Sequence, residues 1–161
     1  MPGTSSLSSR HSPIFKNYVL VSAVVAVLIS QSVKFFLSWY KERRFDLKWF
    51  VWSGGMPSSH SAIVTALATA IGLQDGLGSS EFAMALIFAC IVMYDATGVR
   101  LQAGRQAEVL NRIVYGLPAD HPLAESTPLR ELLGHTPLQV IVGCLLGILT
   151  AFIGKLIVRV Q

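Results

Sequence analysis

The chain has 161 residues, 52% of them hydrophobic and 14% charged, against roughly 25% charged residues in an ordinary soluble domain. That composition excludes a conventional soluble core, and the length leaves room for a handful of membrane helices but no second domain. The net charge of +4 comes from Lys and Arg grouped beside apolar runs, which is the pattern of membrane topology and not of nucleic-acid binding. An all-α, polytopic helical membrane bundle is predicted, with about four membrane helices plus a cytosolic-side amphipathic helix.

Residues 1–13 are rich in Ser and lack acids, and are predicted to be a disordered tail ahead of a single membrane-embedded domain over 14–161. No cleavable signal peptide is expected, because a basic segment and not a small-residue cleavage site follows the first apolar run. Four apolar segments follow in order: Tyr18 to Leu37, Ser59 to Leu73, Phe82 to Val99 and Pro137 to Val158, each close to the ~20 residues that cross a bilayer. The second is the shortest and opens with polar Ser and His. It is expected to enter the bilayer partly or to sit between the others.

Basic residues number five between Lys34 and Lys48 (Lys34, Lys41, Arg43, Arg44, Lys48) and four between Arg100 and Arg130 (Arg100, Arg105, Arg112, Arg130). The opposite side carries four: Arg10, Lys16, Lys155 and Arg159. Nine against four places both long loops on the cytosolic or equivalent side. From Arg100 to Tyr115, apolar residues alternate with charges in the manner of a helix that runs past the membrane or lies on its surface. Ser126, Thr127 and Pro128 have the form of a cap and a first-turn proline, predicting a short helix up to Leu133 that Gly134 stops. Cys90 and Cys144 fall inside apolar runs and read as buried small hydrophobes.

The chemistry concentrates at two helix entries. Gly54 and Gly55 precede Pro57-Ser58-Ser59-His60, where Ser58 or Ser59 can cap the helix and His60 lies in its first turn. A helix start offers unpaired N–H groups and a positive dipole end to a phosphate. His135 directly precedes the fourth apolar segment, and the charge count puts it in the same compartment as His60. Two histidines at one membrane surface form a candidate nucleophile and general acid for phosphoryl transfer, which requires neither metal nor cofactor. Gln139 reads as part of a capping box with Thr136, which accounts for it by itself.

Asp95 lies in the third segment, where a carboxylate costs roughly 2.5–3.5 kcal/mol on insertion scales and needs a partner. Arg100 is the nearest one, and the pair is either structural or part of the site. Arg100 and Arg105 are candidate bidentate ligands for phosphate oxygens. Gly143 and Gly147 have a small-xxx-small spacing that suits either packing within the chain or a homodimer.

The segments GGMPSSHSA (Gly54 to Ala62), VMYDATGVR (Val92 to Arg100), GRQAEVLN (Gly104 to Asn111) and ELLGHTPLQV (Glu131 to Val140) resemble the divergent relatives of type 2 phosphatidic acid phosphatases. That group is related to acid phosphatases and vanadium-dependent haloperoxidases. The resemblance runs from Tyr18 to Phe152 and is greatest to the plant members. It implies an integral, multi-pass protein of an endomembrane or chloroplast membrane that acts on a lipid or isoprenoid phosphate among membrane lipids. The parent superfamily carries K-x6-R-P, P-S-G-H and S-R-x5-H-x3-D. Pro57-Ser58-Ser59-His60 is similar to the second, with Ser59 in place of glycine. Arg130 and His135 are similar to the third, one residue closer together, with Gln139 where an orienting aspartate stands. Lys34 is followed by Lys41-Glu42 and not by Arg-Pro.

By this resemblance His135 is the nucleophile, His60 the general acid, and Arg100, Arg105 and Arg130 the phosphate clamp, with Ser58 and Ser59 in the cradle and Asp95 a candidate substitute for the missing aspartate. The alternative is a non-catalytic membrane protein that binds a phosphate or lipid headgroup for assembly or regulation.

Overall fold

The computed structural model of the protein describes residues 17–42 and 55–160. The expected tail over 1–13, the basic residues Arg43, Arg44 and Lys48, and Gly54 lie outside the described residues. Among the described residues five helices follow in order: α1 Tyr18–Glu42, α2 Ser59–Asp75, α3 Ser80–Thr97, α4 Val99–Tyr115 and α5 Pro137–Val160.

Among the described residues three apolar stretches are long enough to cross a membrane: Tyr18–Tyr40, Ser80–Tyr115 across α3 and α4, and Pro137–Arg159. The second apolar segment becomes the 17-residue α2, which spans only about 25 Å at 1.5 Å per residue. It sits in the middle, in contact with α1, α3 and α5. Its composition explains that position, because its buried residues are small: Ser61, Ala62, Thr65, Ala66, Ala68, Ala70 and Gly72 among them. Small side chains let helix backbones approach closely where lipid removes the hydrophobic drive for helix association.

The outside is the inverse of a soluble protein. Leu28, Phe36, Met84, Ile87, Ile91, Leu145, Leu149 and Leu156 are exposed, while the interior clusters are built from Ala26, Ala62 and Ala66 and from Tyr18, Ala70 and Ala151. Large apolar side chains pointing outward around three long helices need hydrocarbon and not water as solvent.

Gly143 and Gly147 are used within the chain. A Cβ on Gly143 would strike the backbone of Ser58, and one on Gly147 the carbonyl of Ala62 and the hydroxyl of Thr65. The Thr65 hydroxyl also donates to the Cys144 carbonyl at 3.1 Å. This glycine face is occupied by α2, so the homodimer considered for it has no free surface there.

A short turn capped by Ser79, whose hydroxyl accepts from Phe82 N–H at 3.1 Å, leads into α3. The third apolar segment ends at Gly98, the break between α3 and α4. Downstream, the short helix expected between Ser126 and Leu133 is absent, and that stretch is irregular. The cause is Asn111 on α4. Its Nδ2 donates to Leu129 O and Glu131 Oε1, each at 2.8 Å, and its Oδ1 accepts from Leu129 N–H at 2.8 Å. The Leu129 carbonyl held in this way is the acceptor that a helix would offer to Leu133 N–H. Gly104 lets the strap lie against α4, because a Cβ there would meet Glu131 O.

Candidate functional site

The C-terminal end of α1, the N-terminus of α2, the C-terminal end of α3 and the N-terminus of α5 meet at one end of the bundle. Ser58 N–H donates to Gln139 O at 3.0 Å, joining the starts of α2 and α5. Ser58 is the N-cap of α2, its hydroxyl accepting from Ser61 N–H at 3.3 Å and from the Ser61 hydroxyl at 3.0 Å. Gly55, at φ +90°, provides the left-handed turn into this cap, a conformation that costs a side-chain-bearing residue energy. Ser58 is therefore a structural cap. The first-turn N–H groups of Ser59 and His60 have no helical acceptor, as at any α-helix start.

His60 and His135 come together there, ring centroids 6.0 Å apart and planes inclined by 56°. A single phosphate can touch both at that separation. His135 is only 2% exposed, and its N–H donates to Ala96 O at 3.0 Å, fixing the residue to the end of α3. Its Nδ1 lies 3.2 Å from Gln139 Oε1, while Nε2 is buried with no hydrogen-bond partner among the described residues. An orphaned buried nitrogen costs about 1–3 kcal/mol, so a ligand that meets it recovers that energy. Burial pushes the His135 imidazole below its ordinary value of 6.5; the charges of Lys34, His60 and Arg100 add to this, and the Gln139 hydrogen bond opposes it.

Lys34 completes the site, although the sequence reading counted it only among the flanking basic residues and left it out of the candidate clamp. It lies within α1, 3% exposed, with its ammonium donating to Ser59 Oγ at 3.1 Å. No carboxylate pairs with it among the described residues. A buried cation with one hydroxyl partner calls for an anion. The signal was present in the sequence, as a lysine inside an apolar run is a functional candidate by default.

The remaining predicted residues divide. Arg100 is near the site, since its charge acts on both imidazoles. Its Nε donates to Asp95 Oδ2 at 2.6 Å in a partly exposed ion pair that bridges the Gly98 break. Asp95 acts electrostatically on His60, but the atom at His135 Nδ1 is Gln139 Oε1 and not the Asp95 carboxylate. Arg105 and Arg130 are exposed, and neither is among the charges that act on the two imidazoles. The expected clamp therefore contracts to Lys34, Arg100 and the start of α2. Among the described residues no group of three His, Cys, Asp or Glu side chains is disposed to hold a metal ion.

Residues 15–150, which contain every element of this site, match the divergent PAP2 family. The chain belongs to that family. A similar relative is the uncharacterized membrane protein YuiD of Bacillus subtilis (strain 168), 42% identical over 150 residues, which cover 87% of this chain and 95% of the relative. No solved structure matches. Membership of the divergent PAP2 family agrees with the helical membrane bundle described above.

Proposed function

We propose that this divergent PAP2 protein is a membrane-embedded phosphatase acting on a lipid or isoprenoid phosphate at the end of the bundle where α2 and α5 begin. The observation that carries this reading is the buried Nε2 of His135, without a hydrogen-bond partner among the described residues, beside His60, 6.0 Å between ring centroids. In the proposed reaction the Nε2 lone pair forms a bond to phosphorus as the P–O ester bond breaks. The electron pair of that bond leaves on the alcohol oxygen, which takes a proton from His60. Water, passing a proton back to His60 as it attacks phosphorus, then breaks the P–N bond of the phosphohistidine, giving inorganic phosphate and restoring both histidines. Lys34, Arg100 and the first-turn N–H groups of α2 hold the non-bridging oxygens through charge-assisted hydrogen bonds.

An apolar cleft of about 620 Å³ between α1 and α5, lined by Val21, Val25, Ile29, Leu146 and Ile153, supports a substrate with a hydrocarbon chain. Its inner ends, Ile29 and Leu146, lie five and seven residues from Lys34 and Gln139, roughly 8–11 Å along the helices.

The second reading is a non-catalytic phosphate or headgroup receptor. The neutral Gln139 at His135 Nδ1 favours it, because an amide cannot stabilise an imidazolium as a carboxylate does. Purified protein in lipid nanodiscs, offered a panel of phosphatidate, lysophosphatidate and polyprenyl phosphates, separates the two. The enzyme reading expects phosphate release that His135→Ala reduces by at least 10³-fold. Equal rates for wild type and variant, or binding without any turnover, would refute it.

A further inference from the structure

Gln139 does more than cap a helix. Its Oε1 accepts from Thr136 N–H at 3.0 Å, and the same oxygen lies 3.2 Å from His135 Nδ1. A backbone N–H can only donate, so the Gln139 atom facing it is the oxygen, and flipping the amide would set NH₂ against N–H. An acceptor at 3.2 Å in turn requires Nδ1 to carry the proton. In a neutral imidazole the lone pair then belongs to the other nitrogen, and that nitrogen is the buried Nε2, which has no partner among the described residues. Both ends of the relay are anchored: Gln139 N–H donates to Thr136 Oγ1 at 3.4 Å, Gln139 O accepts from Ser58 N–H at 3.0 Å, and His135 N–H is held by Ala96 O.

We propose that Gln139 is the positioning residue of the site, holding His135 in the Nδ1–H tautomer so that the Nε2 lone pair faces the phosphate cradle. The assignment of a catalytic consequence rests on the reading of His135 as the attacking group; the tautomer does not. A neutral acceptor selects the tautomer without supplying the negative charge that favours imidazolium. The groups around His135 push the same way: Lys34 from α1, His60 from α2 and Arg100 from α4 are all cationic or can become so. From α3, Asp95 acts on His60 and is paired with Arg100. The nucleophile thus stays unprotonated into mildly acidic solution. A carboxylate at this position would draw a proton onto the ring.

The test uses the full chain, ¹⁵N-labelled at histidine, in nanodiscs. Imidazole ¹⁵N shifts distinguish a protonated ring nitrogen from one with a lone pair, and the His135 signals are those lost in His135→Ala. Wild type is expected to show Nδ1–H with a lone pair on Nε2. Gln139→Leu is expected to give a mixture of tautomers. Gln139→Glu should keep Nδ1–H while raising the proton affinity of His135 at least tenfold, and the acidic limb of kcat/KM should move up with it. Thr136→Ala weakens the same cap without touching the Gln139–His135 contact and should leave the tautomer unchanged, which separates positioning from helix capping. Nε2–H in the wild type, or a Gln139→Leu protein with the wild-type tautomer and titration, would overturn the assignment. The tautomer is read without turnover, so a protein with the expected signature that hydrolyses nothing refutes the enzyme reading and leaves Gln139 in its positioning role.

Discussion

Lys34 and His135 are the two groups whose burial is hardest to account for without a ligand. A lysine 3% exposed whose partner among the described residues is one hydroxyl is stabilised by any anion that reaches it, and binding to the folded state alone adds about 2.7 kcal/mol at 100 times Kd. Inorganic phosphate or phosphatidate should therefore raise the Tm of the wild type in detergent. In Lys34→Met, which replaces the buried charge by an apolar chain of similar length, that shift should vanish while the unliganded Tm is unchanged or higher. A wild-type phosphate shift that persists in Lys34→Met would remove Lys34 from the cradle.

His135 contributes to the pH dependence of the unliganded fold. Its folded imidazole titrates below 6.5, chiefly through burial, so between that depressed value and 6.5 the unfolded chain binds more protons than the folded one. Stability is complete above about 6.5 and falls as the pH drops below it. Chemical denaturation followed across this range should show the loss in wild type and a flatter profile in His135→Gln. Equal slopes would mean that the ring is not desolvated.

At the level of elements, the strap from Leu129 to His135 determines where the proposed nucleophile stands, and Asn111 determines where the strap stands. Asn111→Ala removes three hydrogen bonds from a buried amide and should destabilise the protein by about 1–3 kcal/mol. Amide exchange at Leu129 should accelerate and hydrolysis should fall, since His135 is carried on the same strap. Asn111→Asp should be no better: it keeps an acceptor for Leu129 N–H but turns a carboxylate toward the Leu129 carbonyl and Glu131. Unchanged exchange at Leu129 in Asn111→Ala would show that packing against Gly104 holds the strap by itself.

The same elements show what could be read beforehand. The apolar segments, the Thr136–Gln139 cap and the meeting of His60 with His135 followed from periodicity, spacing and the count of charges by side. What escaped was long-range. Thr127-Pro128 has a sound local helix start, but a side-chain amide 18 residues upstream overrides it. Gln139 has two hydrogen-bond duties, and spacing reveals only the one within its own helix. Arg105 and Arg130 were grouped with the site because they are basic and near it in sequence, yet helix phase turns Arg105 to the surface and the irregular stretch leaves Arg130 exposed, while Lys34, 101 residues before His135, is brought in from α1.

For the whole molecule, the remaining question is which face of the membrane the site opens to. All four helix ends that build it lie at one end of the bundle, together with α4 and the loop from Gly116 to Thr136, while the turn from Gly76 to Ser79 lies at the other. Lys34 is buried in α1 and does not act as a loop charge, which reduces the nine basic residues counted for the site end to eight against four. That bias predicts the site on the cytosolic or equivalent side, because Lys and Arg in short flanking segments resist translocation. The exposed positions Ser126 and Gly78 test this on opposite ends. With the protein expressed in the inner membrane of bacterial spheroplasts, in a background lacking Cys90 and Cys144, Ser126→Cys should react with a membrane-impermeant maleimide only after the membrane is opened, and Gly78→Cys should react in intact spheroplasts. The reverse labelling would put the phosphate cradle on the translocated face, where the substrate pool would be the headgroups of the other leaflet and the positive end of α2 would draw its anion from the non-cytosolic side.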